Sequence, residues 1–540
     1  MRQNLSALLI ALSFCAALAL PIGLSAQEQK EQKEQKEQKE QKKEHHHYQL
    51  IDMDTFGGPN SLFSNPGSRV INDRGTATGG ADTSIPDPYY PNCFYLCWVD
   101  HAFMWKDGVT TDLGTLPGGA SSFASWVNNG GLIVGQSQNG SIDPLTGWPE
   151  ADGVVWDNGQ ITNLGTFGGS QSNANAINEH DQVVGGALNT VPDPFANAPQ
   201  AACFVLPSTL SCSGSTFAEN SLYFPGTTET RAFLWQDGFM RDLGTLGGPD
   251  SIAWITNDHG EVAGWSYTSF VANPSSGVPT VDPFLWSPEG GKMTDLGSLG
   301  GTFGAPFWLN NRGQVVGISN LPGDTIARPF LWSKSKGMKD LGTLGGTWGF
   351  STWVNDAGEV VGLSYVAGDQ NFHAFLWRNG VMTDLGTVGT DVGSEAFSIN
   401  SQGQVVGDSG VHTGDLHGFL WEHGGPIVDL NQLVPPGSSL TVVSATLIND
   451  RGEIAGRGKL PNGDEHALLL IPCDEKHPDV EGCDYDPIEP LTEDQVRPAQ
   501  VTPAPATSPA KLSPAEMMTR FRSLGAGRNR RFGTPQTSPQ

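Results

Sequence analysis

The chain has 540 residues, of which 30 are Lys or Arg and 57 are Asp or Glu, for a formal net charge of −27. That balance argues against nucleic acid as a partner, because the body supplies no basic stripe to neutralise phosphates. A membrane span is excluded on length, since no segment approaches the roughly twenty consecutive apolar residues that a spanning helix needs.

Residues 1–26 read as a secretory signal peptide. Arg2 precedes an apolar run from Leu5 to Leu20, and Pro21, Gly23, Ser25 and Ala26 close it with small residues. Phe14 stands before Cys15 where a lipoprotein signal needs a small residue, so no lipid anchor is expected. The chain is therefore expected to be exported, to the periplasm, the cell surface or the medium. Residues 27–47 are a charged linker, a near-perfect EQK repeat ending in His45–His47. With almost no apolar side chain it can bury nothing, and it reads as a solvated segment.

From Tyr48 to Cys473 the chain repeats itself. DLGTLGG at Asp242 returns as DLGSLGG at Asp295 and DLGTLGG at Asp340, with looser copies at Asp52, Asp112, Asn163, Asp384 and Asp429. The last four, Asp295, Asp340, Asp384 and Asp429, follow one another at 45, 44 and 45 residues. Each full unit holds four short segments rich in β-branched and aromatic residues. In the copy from Gly345 these are STWVN, EVVGLS, HAFLW and VMTDL. Asn-Asp-Ala-Gly (355–358) and Arg-Asn-Gly (378–380) put turn residues between the first two and the last two. No stretch of this body carries helical periodicity. Four strands per unit at this period predict an all-β fold, a single β-propeller.

Asn72, Asn128, Asn178, Asn257, Asn310, Asn355, Asn400 and Asn449 close the first strand of eight units. The eighth stops before its DLG strand, and the chain opens with a DLG-type strand at 48–56 that lacks its predecessor. The two fragments complete each other. Eight four-stranded blades are expected, closed by residues 48–54 on the blade of 445–471, with a seven-bladed ring as the alternative. Closure would remove the exposed edges of an open array. A Trp recurs at one place in the units, at Trp105, Trp156, Trp235, Trp286, Trp332, Trp377 and Trp421, and is expected to pack between neighbouring sheets.

HAFMW (101–105), HAFLW (373–377) and HGFLW (417–421), set among DLG and VVG strings, resemble the bacterial extracellular repeat named HAF. The resemblance covers roughly residues 48–471. Copies at Val154, Asp282 and Arg328 depart from the HAF letters while keeping the strand. It implies an exported repeat protein and brings no reaction to assign to particular residues.

A catalytic group is needed once, whereas a residue demanded by every unit does the unit's own work. Asp112, Asp242, Asp295, Asp340 and Asp384 are therefore read as structural, accepting backbone hydrogen bonds in a turn that the paired glycines let the chain make. The phrase supplies neither the Lys nor the following helix of a phosphate loop. The Asn-Asp-x-Gly strings lack the spaced acids of a calcium loop and read as hairpin turns. No cofactor is implied, although calcium in one of the longer, acid-bearing loops is an open reading.

Function is expected where the units differ. The VVG-to-HAFLW connections are short in the later units, as in Ile318–Ala327 and Asp408–Leu416, and long in the first four: Gly80–Asp100, Gln136–Asp152, Ala187–Thr230 and Trp265–Val281. Tyr89, Tyr90, Trp98, Trp148, Phe195, Tyr223 and Tyr267 stand in or beside these loops as candidate ligand contacts. Cys93/Cys97, Cys203/Cys212 and Cys473/Cys483 are the local disulfide pairs expected of an exported protein. The reading is a secreted binding or scaffold module that contacts a polysaccharide or a cell-surface protein through these loops. The alternatives are a propeller glycosidase or lyase and a purely structural envelope protein. An enzyme would draw on acids such as Asp143, Glu150, Asp152, Glu219, Glu229 and Glu395, but no Ser-His-Asp, HExxH or P-loop motif stands out.

Residues 474–512 are a proline-rich linker. Residues 513–540 form a basic tail in which Ser513-Pro514-Ala515-Glu516 has the spacing of a capping box that could open one short helix.

Overall fold

The period-two patterning of the repeats resolves into antiparallel sheets of four strands. In the computed structural model the described residues are 47–64, 67–89, 98–144, 147–195, 228–274, 277–410, 416–422, 424–477 and 483. They belong to one unit that begins at His47. Among them the secondary structure is all β apart from a 3-10 turn at Leu430–Gln432.

Seven sets of four follow the chain. The first is Gly57–Leu62, Ala77–Pro86, Trp98–Lys106 and Val109–Asp112; the second is Ser122–Val127, Ile133–Ile142, Pro149–Asp157 and Gln160–Asn163. The third is Ser172–Ile177, Val183–Pro192, Thr228–Gln236 and Phe239–Asp242; the fourth is Ser251–Thr256, Val262–Tyr267, Val281–Trp286 and Met293–Asp295. The fifth is Gly304–Leu309, Val315–Asn320, Ala327–Ser333 and Gly337–Asp340; the sixth is Gly345–Val354, Val360–Val366, Phe372–Arg378 and Val381–Gly386. A single parallel bridge, Ala327 to Trp348, links these two. The seventh is Ser394–Ile399, Val405–Ser409, His417–Trp421 and Val428–Asp429.

The eighth set takes three strands from the end of the repeats, Thr441–Ile448, Ile454–Lys459 and Glu465–Pro472, and its fourth from the beginning, Tyr48–Asp52. The pairing is antiparallel from Tyr48–Pro472 to Asp52–Leu468. Tyr48 and Leu468 are fully buried in the core of this set.

Adjacent sets are tied together by their repeated asparagines. Asn72 Nδ2 donates to the carbonyl of Asn128 at 2.8 Å, Asn128 to Asn178 at 3.1 Å, Asn178 to Asn257 at 2.9 Å and Asn257 to Asn310 at 3.0 Å. The series continues from Asn310 to Asn355 at 2.9 Å, Asn355 to Asn400 at 3.1 Å and Asn400 to Asn449 at 3.1 Å. Asn449 then donates to Asn72 at 3.1 Å, which returns the series to its start. Each Asn also accepts from its own turn; Asn310 Oδ1, for example, takes the amides of Arg312 and Gln314. A short side chain with two donors and one acceptor can join a tight turn to the next sheet in this way, which explains why Asn stands at all eight positions.

The DLGTLGG phrase is the crossover between sets. Its Asp or Asn accepts from the amide two residues on in all eight copies, as from Asp242 Oδ1 to Gly244 N at 2.7 Å and from Asn163 Oδ1 to Gly165 N at 2.7 Å. The amide of the Leu that follows Thr or Ser then donates to a Ser on the second strand of the next set, Leu344 to Ser364 Oγ at 2.9 Å for example. Of the paired glycines the first has positive φ, 105° at Gly345, and a Cβ on the second would overlap the next set, at Gly346 against Tyr365. The phrase is a joint whose Asp and paired glycines have backbone reasons.

The glycine of each VVG string has its own. A Cβ there would strike a carbonyl oxygen of the first strand in all eight sets, as Gly362 would strike Phe350. Seven of those first strands carry a bulge at the same depth, which brings the two backbones together. Gly362→Ala is therefore expected to cost about 3 kcal/mol or more through backbone overlap. Gly380→Ala, in an exposed hairpin turn with φ of 92° and nothing within 4 Å of the added methyl, should cost only about 1 kcal/mol. Urea unfolding of the two variants checks the contrast.

The repeated tryptophans are packed. Trp105, Trp156, Trp286, Trp332, Trp377 and Trp421 are buried and Trp235 is half-buried. Arg241 lies over the ring of Trp286 at 5.1 Å and Lys339 over that of Trp377 at 4.5 Å.

Candidate functional site

Indoles from sets that are not neighbours in the chain meet one another. Trp126, Trp308 and Trp353 stand two residues before the repeated Asn in the second, fifth and sixth sets. Trp308 stacks on Trp353 at 3.3 Å between centroids and on Trp126 at 5.6 Å. Sets that are not neighbours in the chain thus meet through their first strands. Gly67, between the first two strands of the first set, also comes up to the carbonyl of Phe307 in the fifth.

The long connections lie at the opposite end from the asparagine turns. In the first three sets the connection begins and ends as strand: the second and third strands run 10 and 9 residues, against 6 and 6 in the fourth. The ends of these connections, expected as loop, are hairpin extensions held by the pairs Pro86–Trp98, Ile142–Pro149 and Pro192–Thr228 beyond a register shift, while residues 90–97, 145–146 and 196–227 between them lie outside the described residues. Ile85 and Val191 stand at the same place, one residue before the pairs Pro86–Trp98 and Pro192–Thr228, at 58% and 48% exposure, whereas Ile142, 46% exposed, is itself the paired residue one position further on. In the fourth set Phe270 and Val271 are exposed at 59% and 74%.

Carboxylates flank these apolar residues. Asp87 accepts from Tyr89 N and Asp193 from Phe195 N, both at 2.8 Å, so the two Pro-Asp-Pro-aromatic strings make the same turn. Asp143 accepts from Ser170 Oγ at 3.1 Å. Asp100, Asp152 and Glu229 are buried at the feet of the third strands; Asp152 takes the amides of Asn139 and Asn163, and Glu229 that of Asn189. Burial raises the Glu150 and Asp193 carboxyls above their usual range. It acts most strongly on Asp250, where burial and then the charges of Asp193 and Glu229 push the carboxyl up to about 8. Asp250 Oδ1 accepts from Thr230 N at 2.7 Å.

Asp250 makes the stability of this sector pH-dependent. Its folded value, about 8, lies above the ordinary carboxyl value of about 4, so the unfolded chain releases this proton first and stability falls as pH climbs between the two. Asp250→Asn keeps the acceptor for Thr230 and removes the titration. The variant is expected to gain stability over the parent steadily from pH 5 to pH 8, read as a widening gap between their melting temperatures.

Of the candidate contacts, Tyr89, Trp98, Trp148 and Phe195 are half-buried on this rim. Tyr267 is not offered to solvent. It is 5% exposed and packs edge-on to Trp265 at 5.8 Å, with Phe195 at 6.0 Å. It belongs to the satellite core that supports the rim. Tyr90, Tyr223, Cys93, Cys97, Cys203, Cys212 and Glu219 lie outside the described residues. Cys473 and Cys483 form a disulfide. Glu395 is buried in the seventh set, away from the long connections.

The His of the HAF string pairs with the Asp of DLG: His101 with Asp112 at 2.8 Å, His373 with Asp384 at 2.9 Å and His466 with Asp52 at 2.8 Å. These hydrogen bonds raise His101 and His466 above the usual imidazole range, against the effect of burial. Among the described residues no group of three or more His, Cys, Asp or Glu is placed to hold a metal, and no helix is long and apolar enough to cross a membrane.

No family profile matches the chain, and no curated protein matches it. Solved structures with some likeness include a puromycin-hydrolyzing peptidase of Mycobacterium tuberculosis, at 11% identity over 63% of this chain and 50% of that one, with a TM-score of 0.36. TolB of Acinetobacter baumannii matches at 12% identity over 63% of this chain and 79% of that one, with a TM-score of 0.29. The lectin of Aleuria aurantia matches at 9% identity over 64% and 93%, with a TM-score of 0.22. The chain thus spans about half the length of the peptidase. Likeness at this level carries no argument about activity.

Proposed function

We propose that residues 48–473 form one closed, eight-bladed β-propeller of an exported HAF-repeat protein, and that it is a binding module for polysaccharide. The cycle of asparagine hydrogen bonds through all eight sets supports the ring, and the pairing of Tyr48–Asp52 with Glu465–Pro472 supports its closure. The ligand surface is the rim of the first four blades. The observation that carries this is the set of exposed apolar residues Ile85, Ile142, Val191 and Phe270 beside carboxylates, on the four blades with long connections. Apolar side chains beside acceptor oxygens suit the two faces of a sugar, its C–H surface and its hydroxyls.

The chain from residue 27 onward, produced oxidised, is tested for retention on a panel of soluble and insoluble polysaccharides. A variant carrying Ile85→Ser, Ile142→Ser, Val191→Ser and Phe270→Ser runs beside it. Retention of the parent, weakened at least about tenfold in the variant, a loss of about 1.4 kcal/mol, is the expected result. Equal retention of both puts the site elsewhere, and no retention of either overturns the polysaccharide reading.

A further inference from the structure

One position in most of the sets holds a His or Arg partner for the outer-strand acid. It is the first residue of the HAF string, which lies two residues before the register partner of the DLG Asp and so on the same face of the sheet. His101, His373 and His466 fill it as described above. Arg231 Nε reaches Asp242 at 3.2 Å, and Arg328 Nε reaches Asp340 at 3.9 Å while its Nη1 donates to the carbonyl of Gly346 at 3.2 Å. In the second set the acid stands in the slot and the outer strand supplies a neutral amide: Asp152 holds the place and accepts from Asn163 Nδ2 at 2.7 Å. In the seventh, His417 turns to Asp391 at 2.9 Å. The occupant thus pairs with an outer-strand carboxylate in five sets, with Arg328 of the fifth set also reaching a carbonyl of the glycine phrase, and it finds a complementary partner in seven.

The fourth set breaks the series. Asp282 stands in the slot and the outer-strand residue is Asp295, so two acids face a place where the other sets bring opposite charge or an amide. Asp282 is 8% exposed, and its Oδ1 has no hydrogen-bond partner among the described residues. Asp295 Oδ1 is engaged by Gly297 N at 2.7 Å. A buried carboxylate oxygen without a donor, beside a second carboxylate, is costly unless a cation joins them.

We propose that Asp282 and Asp295 bind a hard divalent cation of the calcium class, in the slot that a His or Arg side chain fills in the neighbouring sets. The donors are oxygen only: the two carboxylates and, by position, the carbonyl of Gly301, which is the counterpart of the Gly346 carbonyl that Arg328 reaches. Calcium accepts such ligands and completes its shell with water, whereas a soft metal would call for His or Cys. The ion would fasten the fourth blade where the chain returns from its long connection at Val281, and so steady the part of the rim that carries Phe270.

The test is calorimetric titration of the chelator-treated chain with calcium chloride at pH 7.5, together with melting curves in calcium and in EDTA. Saturable binding and a melting temperature several degrees higher in calcium are expected for the parent. Asp282→His recreates the pair of the first, sixth and eighth sets, so it should fold, melt higher than the parent in EDTA and have lost the calcium response. Asp282→Asn, nearly isosteric, should lose the response as well. A parent without any calcium response overturns the proposal. So does a response that survives in Asp282→His, which would place calcium elsewhere. A parent that ignores calcium but gains stability on acidification to pH 5 would give the slot to a shared proton, and the proposal again fails.

Discussion

Replacing Asn449 with Ala is expected to remove about 3–4 kcal/mol of stability, a loss far outside the range of an ordinary surface substitution. The side chain is 7% exposed and makes four hydrogen bonds: it donates to the Asn72 carbonyl and to Glu453 Oε2, and it accepts the amides of Arg451 and Glu453. An alanine leaves these buried backbone groups without partners, and each such group costs about 1–3 kcal/mol. Asn310→Ala removes the same kind of contacts between the fifth and sixth sets and should cost a similar amount. Equal losses at the two positions, read by urea unfolding, mean that the contact between the last set and the first is one link like the rest. A loss at Asn310 with none at Asn449 would mean that the eight sets do not meet end to end.

Deleting residues 48–54 should do more damage than any single substitution. The Glu465–Pro472 strand would lose its whole ladder from Tyr48–Pro472 to Asp52–Leu468, and Tyr48, buried among Val406, Leu430 and Leu468, would leave a cavity the size of an aromatic ring. Removal of such a side chain alone costs about 3–5 kcal/mol. The bared edge is also a template for pairing with another chain. Size-exclusion chromatography is expected to show association or precipitation of the truncated chain where the parent elutes as a single species. A truncated chain that stays monodisperse with an unchanged melting temperature would mean that the strand contributes nothing.

Much of this frame was legible from the letters because each repeat states its strands and turns in the same order. The missing outer strand of the last unit and the orphan strand of the first were visible as complementary fragments. Other features were harder to see. The partner of the HAF His lies 11 residues on in three sets, at 101/112, 373/384 and 231/242, with Arg in the last; only by comparing what replaces His with what replaces Asp does the pair emerge. Trp126, Trp308 and Trp353 share one register with the repeated Asn, and that alignment was the available sign that they meet. Tyr267 misled because it follows a long connection's first residues, yet it ends a strand whose every residue is buried. Composition cannot tell an aromatic that supports a rim from one that faces the ligand, since both sit beside the same turns. The ends of the first three connections read as loop because Pro and Gly punctuate them, and the pairing that extends those strands depends on register, which local patterning does not specify.

The most direct test of the closed ring is a cross-link between its two ends. Gln49 and Ile471 are register partners on the strands that join the start of the repeats to their finish. The chain carrying Gln49→Cys and Ile471→Cys is oxidised, cleaved in a loop between them and run on a non-reducing gel. A closed ring predicts that the two fragments stay joined within one monomeric species until reductant is added. Fragments that separate, or that join only as dimers of the chain, would contradict it.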